Sequence, residues 1–171
     1  MNEFDENWGN DFDFGGGDSA NAFIFRNEKC PPSDAPSGAS FERCDFSKKV
    51  FPCDDILFVT FCNCNMSETT FKPVGDEKYL DDGMGLADGV LFVNCDLSGA
   101  IFENCIFENA RFVNCNLSGA KFCRCEINGS LHACGCDVTA MDLSHTDGDV
   151  DFYSDICFSG CNNVETIEWE M

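Results

Sequence analysis

The chain has 171 residues, room for one domain with tails. Its 31 Asp and Glu against 10 Lys and Arg give a formal net charge of -21 at pH 7, which argues against direct binding to nucleic-acid phosphates or to an anionic membrane, since both would repel it. No apolar run approaches the ~18 residues of a membrane span, and the acidic start Met1-Asn2-Glu3-Phe4-Asp5-Glu6 is not the basic leader of a secretory signal. A cytoplasmic protein that buries a core is therefore expected.

Residues 1–38 form an acidic, aromatic and Gly-rich segment, with Gly15-Gly16-Gly17, Pro31-Pro32, Pro36, Trp8, Phe23 and Phe25. It is too aromatic for a plain linker, and part of it is expected to cap the element that follows. From Phe41 a period of five begins: Phe41, Phe46, Phe51, Ile56, Phe61, Met66 and Phe71. It resumes as Phe92, Leu97, Phe102, Phe107, Phe112, Leu117, Phe122 and Ile127. Chance agreement at all these positions, against the 44% apolar background, is about five in a million. Phe92-Val-Asn-Cys-Asp-Leu-Ser-Gly-Ala100 also recurs as Phe112-Val-Asn-Cys-Asn-Leu-Ser-Gly-Ala120. The offset of 20 implies four five-residue sides to each coil.

Residues 72–89 break the period, and Pro73, Gly75, Gly83, Gly85 and Gly89 there predict a loop inserted in the coil. After Ile127 the pattern continues with a one-residue slip through Cys136-Asp137-Val138-Thr139 and Met141-Asp142-Leu143-Ser144 to Ile156-Cys157-Phe158-Ser159-Gly160, with His132 at the expected centre before the slip. The repeat thus spans 39–160, and residues 161–171 are expected to close it as a C-terminal cap.

A period of five is neither helical nor that of a simple strand. Two residues before each large centre stands a small one, as at Cys95, Ala100, Cys105, Ala110, Cys115 and Ala120. The residues between, such as Ser98-Gly99 and Glu103-Asn104, suit corners. Cys95-Asp96-Leu97-Ser98-Gly99, Cys115-Asn116-Leu117-Ser118-Gly119, Cys44-Asp45-Phe46-Ser47 and Cys64-Asn65-Met66-Ser67 resemble the repeats of the pentapeptide-repeat family. The resemblance implies an all-β solenoid, a right-handed quadrilateral β-helix. Some members imitate duplex DNA and occupy the DNA groove of topoisomerases, and some dimerise through the C-terminal end. Monomer and C-terminal homodimer both stay open here.

Nothing predicts an enzyme. The chain has two histidines, no G-x-S-x-G motif, and no Lys-Ser/Thr after its Gly triplet. Asp147-Gly-Asp149-Val-Asp151 lacks the Gly and Glu of a calcium loop. Eight of the fourteen cysteines (Cys44, Cys64, Cys95, Cys105, Cys115, Cys125, Cys136 and Cys161) fall at or near the small inward position. Buried reduced thiols are expected, because Cys packs as a small hydrophobe and C-x-C is not usual zinc spacing. No metal and no cofactor is expected. The off-register Cys30, Cys53 and Cys157 are the candidates for reactive thiols.

The acidic surface remains. Residues 39–160 carry 20 acidic and 8 basic residues, and no Lys or Arg follows Arg124. About five coils at ~4.8 Å each make a rod roughly 24 Å long, and duplex DNA of that length carries about 14 phosphates. The expected partner surface is Asp137, Asp142, Asp147, Asp149, Asp151, Asp155, Glu103, Glu108, Glu126, Asp76, Asp81 and Asp82. The expected function is a DNA-mimicking inhibitor that competes with duplex DNA for the basic groove of a DNA-binding enzyme or nucleoprotein complex. The first target class is a surveillance complex, blocked by a phage-type anti-CRISPR protein in the host cytoplasm. DNA gyrase, or a scaffold role in which charge serves only solubility, is the alternative.

Overall fold

The computed structural model describes residues 12–13, 22–33, 35–54, 56–75, 83–148 and 156–169. Before the first coil, β1 (Phe12–Asp13) pairs antiparallel with β2 (Ala22–Arg26). The first coil holds β3 (Ser40–Glu42) and β4 (Val50–Pro52). The second holds β5 (Thr60–Cys62), β6 (Thr70–Lys72) and β7 (Gly85–Asp88). The third holds β8 (Leu91–Val93), β9 (Ile101–Glu103) and β10 (Cys105–Glu108). In the fourth, β11 (Ala110–Val113) is followed by β12 (Lys121–Ile127), which turns a corner. The fifth holds β13 (Leu131–Cys134) and β14 (Asp142–Gly148), and β15 (Ile156–Ser159) opens the last turn.

Every strand from β2 onward pairs in parallel with the coil above or below. The result is a four-sided β-solenoid. Side one stacks β2, β3, β5, β8, β11, β13 and β15. Side two is a ladder of single bridges running Asp45, Asn65, Asp96, Asn116, Asp137 and Asn162. Side three carries β4, β6, β9 and the start of β12, while side four carries β7, β10 and the end of β12.

Each side turns inward at its large centre and at the residue two before it, because successive side chains alternate across an extended backbone. The centres stack into columns. On side one the rings of Phe25, Phe41, Phe61, Phe92 and Phe112 follow one another at 4.9, 5.2, 4.8 and 5.0 Å. On side three Phe71, Phe102 and Phe122 stack at 4.7 Å per step. Rings from the two columns meet edge to face, as Phe92 meets Phe102 at 6.2 Å. The coil repeat holds each ring at an offset-stacking distance from the next.

Most sides end in a left-handed corner residue. Asn63, Asn94, Asn104, Asn109 and Asn114 have φ near +54°, and Gly89, Gly99, Gly119 and Gly135 share the conformation. Asn and Gly suit these corners because they enter that region at least cost. Phe58 sits at one as well, with φ of 56° and 61% of its surface exposed.

Two sequence expectations need correction. The chain rejoins the coil earlier than residue 89: Gly85–Asp88 is a strand of side four, paired residue for residue with Cys105–Glu108, and Ala87 takes the buried centre. Ala87 is small, so the apolar period hid it. The slip also comes before His132. Ser130 is the extra residue, so Ala133 is the centre aligned with Phe112, and His132 faces outward. In that coil the sizes exchange, with Leu131 at the flanking position and Ala133 at the centre, both buried.

At the far end a 3-10 helix, Val164–Thr166, leads to a buried Ile167. Trp169 then meets Phe158 edge to face at 6.2 Å. Among the described residues no helix is long and apolar enough to cross a membrane.

Phe102 touches Phe92 and Phe107 on two other sides of its own coil and Phe71 and Phe122 in the coils before and after. Phe102→Ala is expected to cost about 3–5 kcal/mol, read as a fall in the urea midpoint. Phe58→Asn should do the reverse. It relieves a left-handed Phe at an exposed corner, and a gain of about 1 kcal/mol is expected in the same measurement.

Candidate interaction surface

The coil assigns every charged side chain to a side. Arg26, Arg43 and Arg111 lie on side one or its corner, Lys48 at the corner that ends side two, and Lys49, Lys72, Lys121 and Arg124 on side three or its corner. Side four carries Asp54, Asp88, Glu108 and Glu126, and among its described residues there is no Lys or Arg. Asp88 and Glu108 are register partners on adjacent coils, as are Glu126 and Asp147. Leu86 and Ile106 lie beside them, half-buried.

Side two is also acidic, but its carboxylates alternate with amides. Asp45, Asp96 and Asp137 are separated by Asn65 and Asn116. Asn116 Nδ2 donates to Asp96 Oδ1 at 3.3 Å. Carboxylates one coil apart would repel, so an amide between them removes the repulsion and supplies a donor. One oxygen of each acid also closes its own turn. Asp137 Oδ1 accepts from the Thr139 amide at 3.1 Å and from the Thr139 hydroxyl at 2.6 Å. Asp45 does the same with Ser47, and Asp142 with Ser144 on side three.

These bonds favour the ionised form. The Thr139 hydroxyl and amide hold Asp137 below the usual carboxylate range, and the Ser47 hydroxyl does so for Asp45. Burial works against Asp142, yet the Ser144 hydroxyl and amide, with His145 and Lys121 nearby, still leave it lowered.

The residues singled out by sequence therefore do not form one strip. Asp137, Asp142 and Asp147 lie on sides two, three and four of a single coil, a ring and not a row. Glu103, on side three, is paired with Arg124 at 2.6 Å. Glu108 and Glu126 do share side four. Asp147 is described by its backbone alone, and Asp149, Asp151, Asp155, Asp76, Asp81 and Asp82 lie outside the described residues. Asp88, which the broken period assigns to the inserted loop, stands on side four because the chain returns early at Gly85.

The thiols have a hydrogen-bonding role that composition does not reveal. Cys64, Cys95, Cys115, Cys136 and Cys161 donate to the carbonyls of Phe41, Phe61, Phe92, Phe112 and Ala133, at 3.3–3.5 Å. Each acceptor is the centre of the preceding side, one coil back. Thr69 gives its hydroxyl to Phe46 in the same way at 2.7 Å. Burial, then the Cys105 sulfur, pushes the Cys125 thiol well above its usual range. Cys53 is off-register but buried, and so differs from the exposed Cys30 and Cys157. All fourteen cysteines are free, and among the described residues no group of three or more His, Cys, Asp or Glu side chains is placed to hold a metal ion.

Residues 91–129 match the family model for pentapeptide repeats, in eight copies. No curated protein matches the chain. Among solved structures, it is similar to QnrB1, described as a plasmid-mediated fluoroquinolone resistance protein, at 18% identity over 87% of this chain and 77% of that one, with a TM-score of 0.42. It is also similar to HetL, described as a pentapeptide repeat protein involved in heterocyst differentiation regulation from the cyanobacterium Nostoc. That match has 14% identity over 85% of this chain and 84% of that one, with a TM-score of 0.21.

The alternating ladder can be tested directly. Asn116→Asp puts a third carboxylate between Asp96 and Asp137 and removes the amide donor. A loss of about 1–2 kcal/mol is expected at neutral pH. Crowding raises the new acid's folded-state pKa above its unfolded value, so the deficit is present at neutral pH and shrinks as pH falls and the carboxylate protonates. Paired thermal melts of variant and parent across that range check it.

Proposed function

We propose that this chain, whose residues 91–129 match the family model for pentapeptide repeats, is a non-catalytic interaction protein. In this reading its acidic side four enters a basic groove and displaces duplex DNA. The observation that supports it is the segregation of charge: side four carries Asp54, Asp88, Glu108 and Glu126 with no Lys or Arg among its described residues, while sides one, two and three each carry a cation on the side or at its corner. Carboxylates on a hydrogen-bonded coil lose little freedom on binding, and they can face Arg and Lys of a partner as phosphates would.

The acids on side two are poorer contact groups, because one oxygen of each already closes a turn. Asp54 on side four is held in the same way by the Val74 and Gly75 amides, so the contact acids of this reading are Asp88, Glu108 and Glu126. Of the two target classes, a CRISPR surveillance complex is the first to test and DNA gyrase the second.

Filter binding of labelled duplex to each complex, with increasing amounts of the protein and at several salt concentrations, tests the reading. Loss of bound duplex is expected, weakening as salt rises. The triple variant Asp88→Lys, Glu108→Lys, Glu126→Lys should abolish the competition while its melting profile stays cooperative. If duplex stays bound to both complexes, both target proposals fail. If the triple variant competes as well as the parent, the contact surface is wrong and a scaffold role is favoured.

A further inference from the structure

Side four of the first coil keeps the spacing of five from Phe51 to Ile56 to Phe61 but turns a different residue inward. Cys53 and Ile56 both point inward, where the usual spacing would turn residue 54 in. Cys53 therefore leads the flanking column of side four, which continues through Gly85, Cys105 and Cys125. Gly85, in the coil between, has no side chain to keep Cys53 and Cys105 apart. A Cβ on Gly85 would lie 1.8 Å from the Cys53 carbonyl oxygen, so only glycine lets the first coil settle there. Across that gap Cys53 Sγ stands 3.0 Å from Cys105 Sγ. The thiol-to-carbonyl contacts elsewhere in the core are longer, at 3.3–3.8 Å. Both cysteines are 1% exposed.

We propose that Cys53 and Cys105 form a modification site: an internal disulfide that ties the first coil to the third across the second. The co-reactant is a small-molecule disulfide of the glutathione class. One cysteine thiolate attacks it and expels one small thiol. The other cysteine thiolate then attacks the resulting mixed disulfide and expels the second. Two electrons pass from the protein to the small disulfide, and the two thiol protons end on the two expelled thiols. Because both sulfurs are enclosed in the finished coil, exchange takes place while the coils are still assembling. The cross-link closes a loop between residues 52 apart in sequence, which restricts the unfolded chain.

The test is refolding of the full chain in a buffer of reduced and oxidised glutathione, beside a fully reduced control. Denaturation, alkylation of free thiols and peptide mapping follow. The proposal expects one peptide pair, joined through Cys53 and Cys105, a protein mass lower by two hydrogens at that pair, and a melting temperature higher by roughly 10 °C. In Cys53→Ala and in Cys105→Ala the joined pair and the added stability should both vanish. Recovery of Cys53 and Cys105 as alkylated thiols from the oxidised sample would overturn the proposal. So would a cross-link between other cysteines, or an equal gain in melting temperature in Cys53→Ala. None of these outcomes bears on DNA competition, which rests on the outer face.

Discussion

The structure depends on one constraint: five residues must make a side, turn a corner and return to the same axial level as their neighbours. Two of the five point inward, a large centre and a small flanking residue, and one enters the left-handed region at the corner. Phe columns follow from the first requirement, since a centre on each coil is held near 5 Å from the next. The Asn and Gly corners follow from the second, because other side chains meet steric cost there. Arg43, Lys48, Glu68, Arg124 and Phe58 occupy corners against that preference. In each case packing and backbone bonding of the whole coil outweigh a local penalty.

The flanking position does more than fill space. It lies where the backbone has just turned and where the carbonyl of the preceding centre points into the coil. A thiol there can donate while still packing as an apolar group, which alanine cannot do. Thr69 makes the same bond with a hydroxyl, so the role belongs to the position and not to sulfur. This explains why side two uses cysteine at coil after coil.

Charge is organised by the same geometry. Residues five apart fall on adjacent sides, whereas residues one whole coil apart fall in one column. Asp88 and Glu108 align one regular coil apart, Glu126 and Asp147 align across one inserted residue, and Asp137 and Asp142, five apart, fall on adjacent sides. On side two the column would be a line of like charges, and the alternation of Asp with Asn prevents it. On side four no amide separates Asp88 from Glu108, and no cation stands beside them among the described residues. That contrast is what sets side four apart as a surface for a basic partner.

The period, the inward centres, the size of the coil and the expectation of buried thiols were all legible in the sequence, because each depends on residues near one another in the chain. Column membership across an insertion was not. Ala87 is too small to register as a centre, and only its pairing with Phe107 reveals it. The spacing of five in Asp137, Asp142 and Asp147 means successive sides of a square, and the structure places them on sides two, three and four. The bond of Cys64 to Phe41 and the approach of Cys53 to Cys105 join residues far apart in sequence. The sequence alone determined that the chain coils in fives around stacked aromatic rings. The tertiary structure decided which charges and which sulfurs meet, because the length of each departure from the coil sets the register of everything after it.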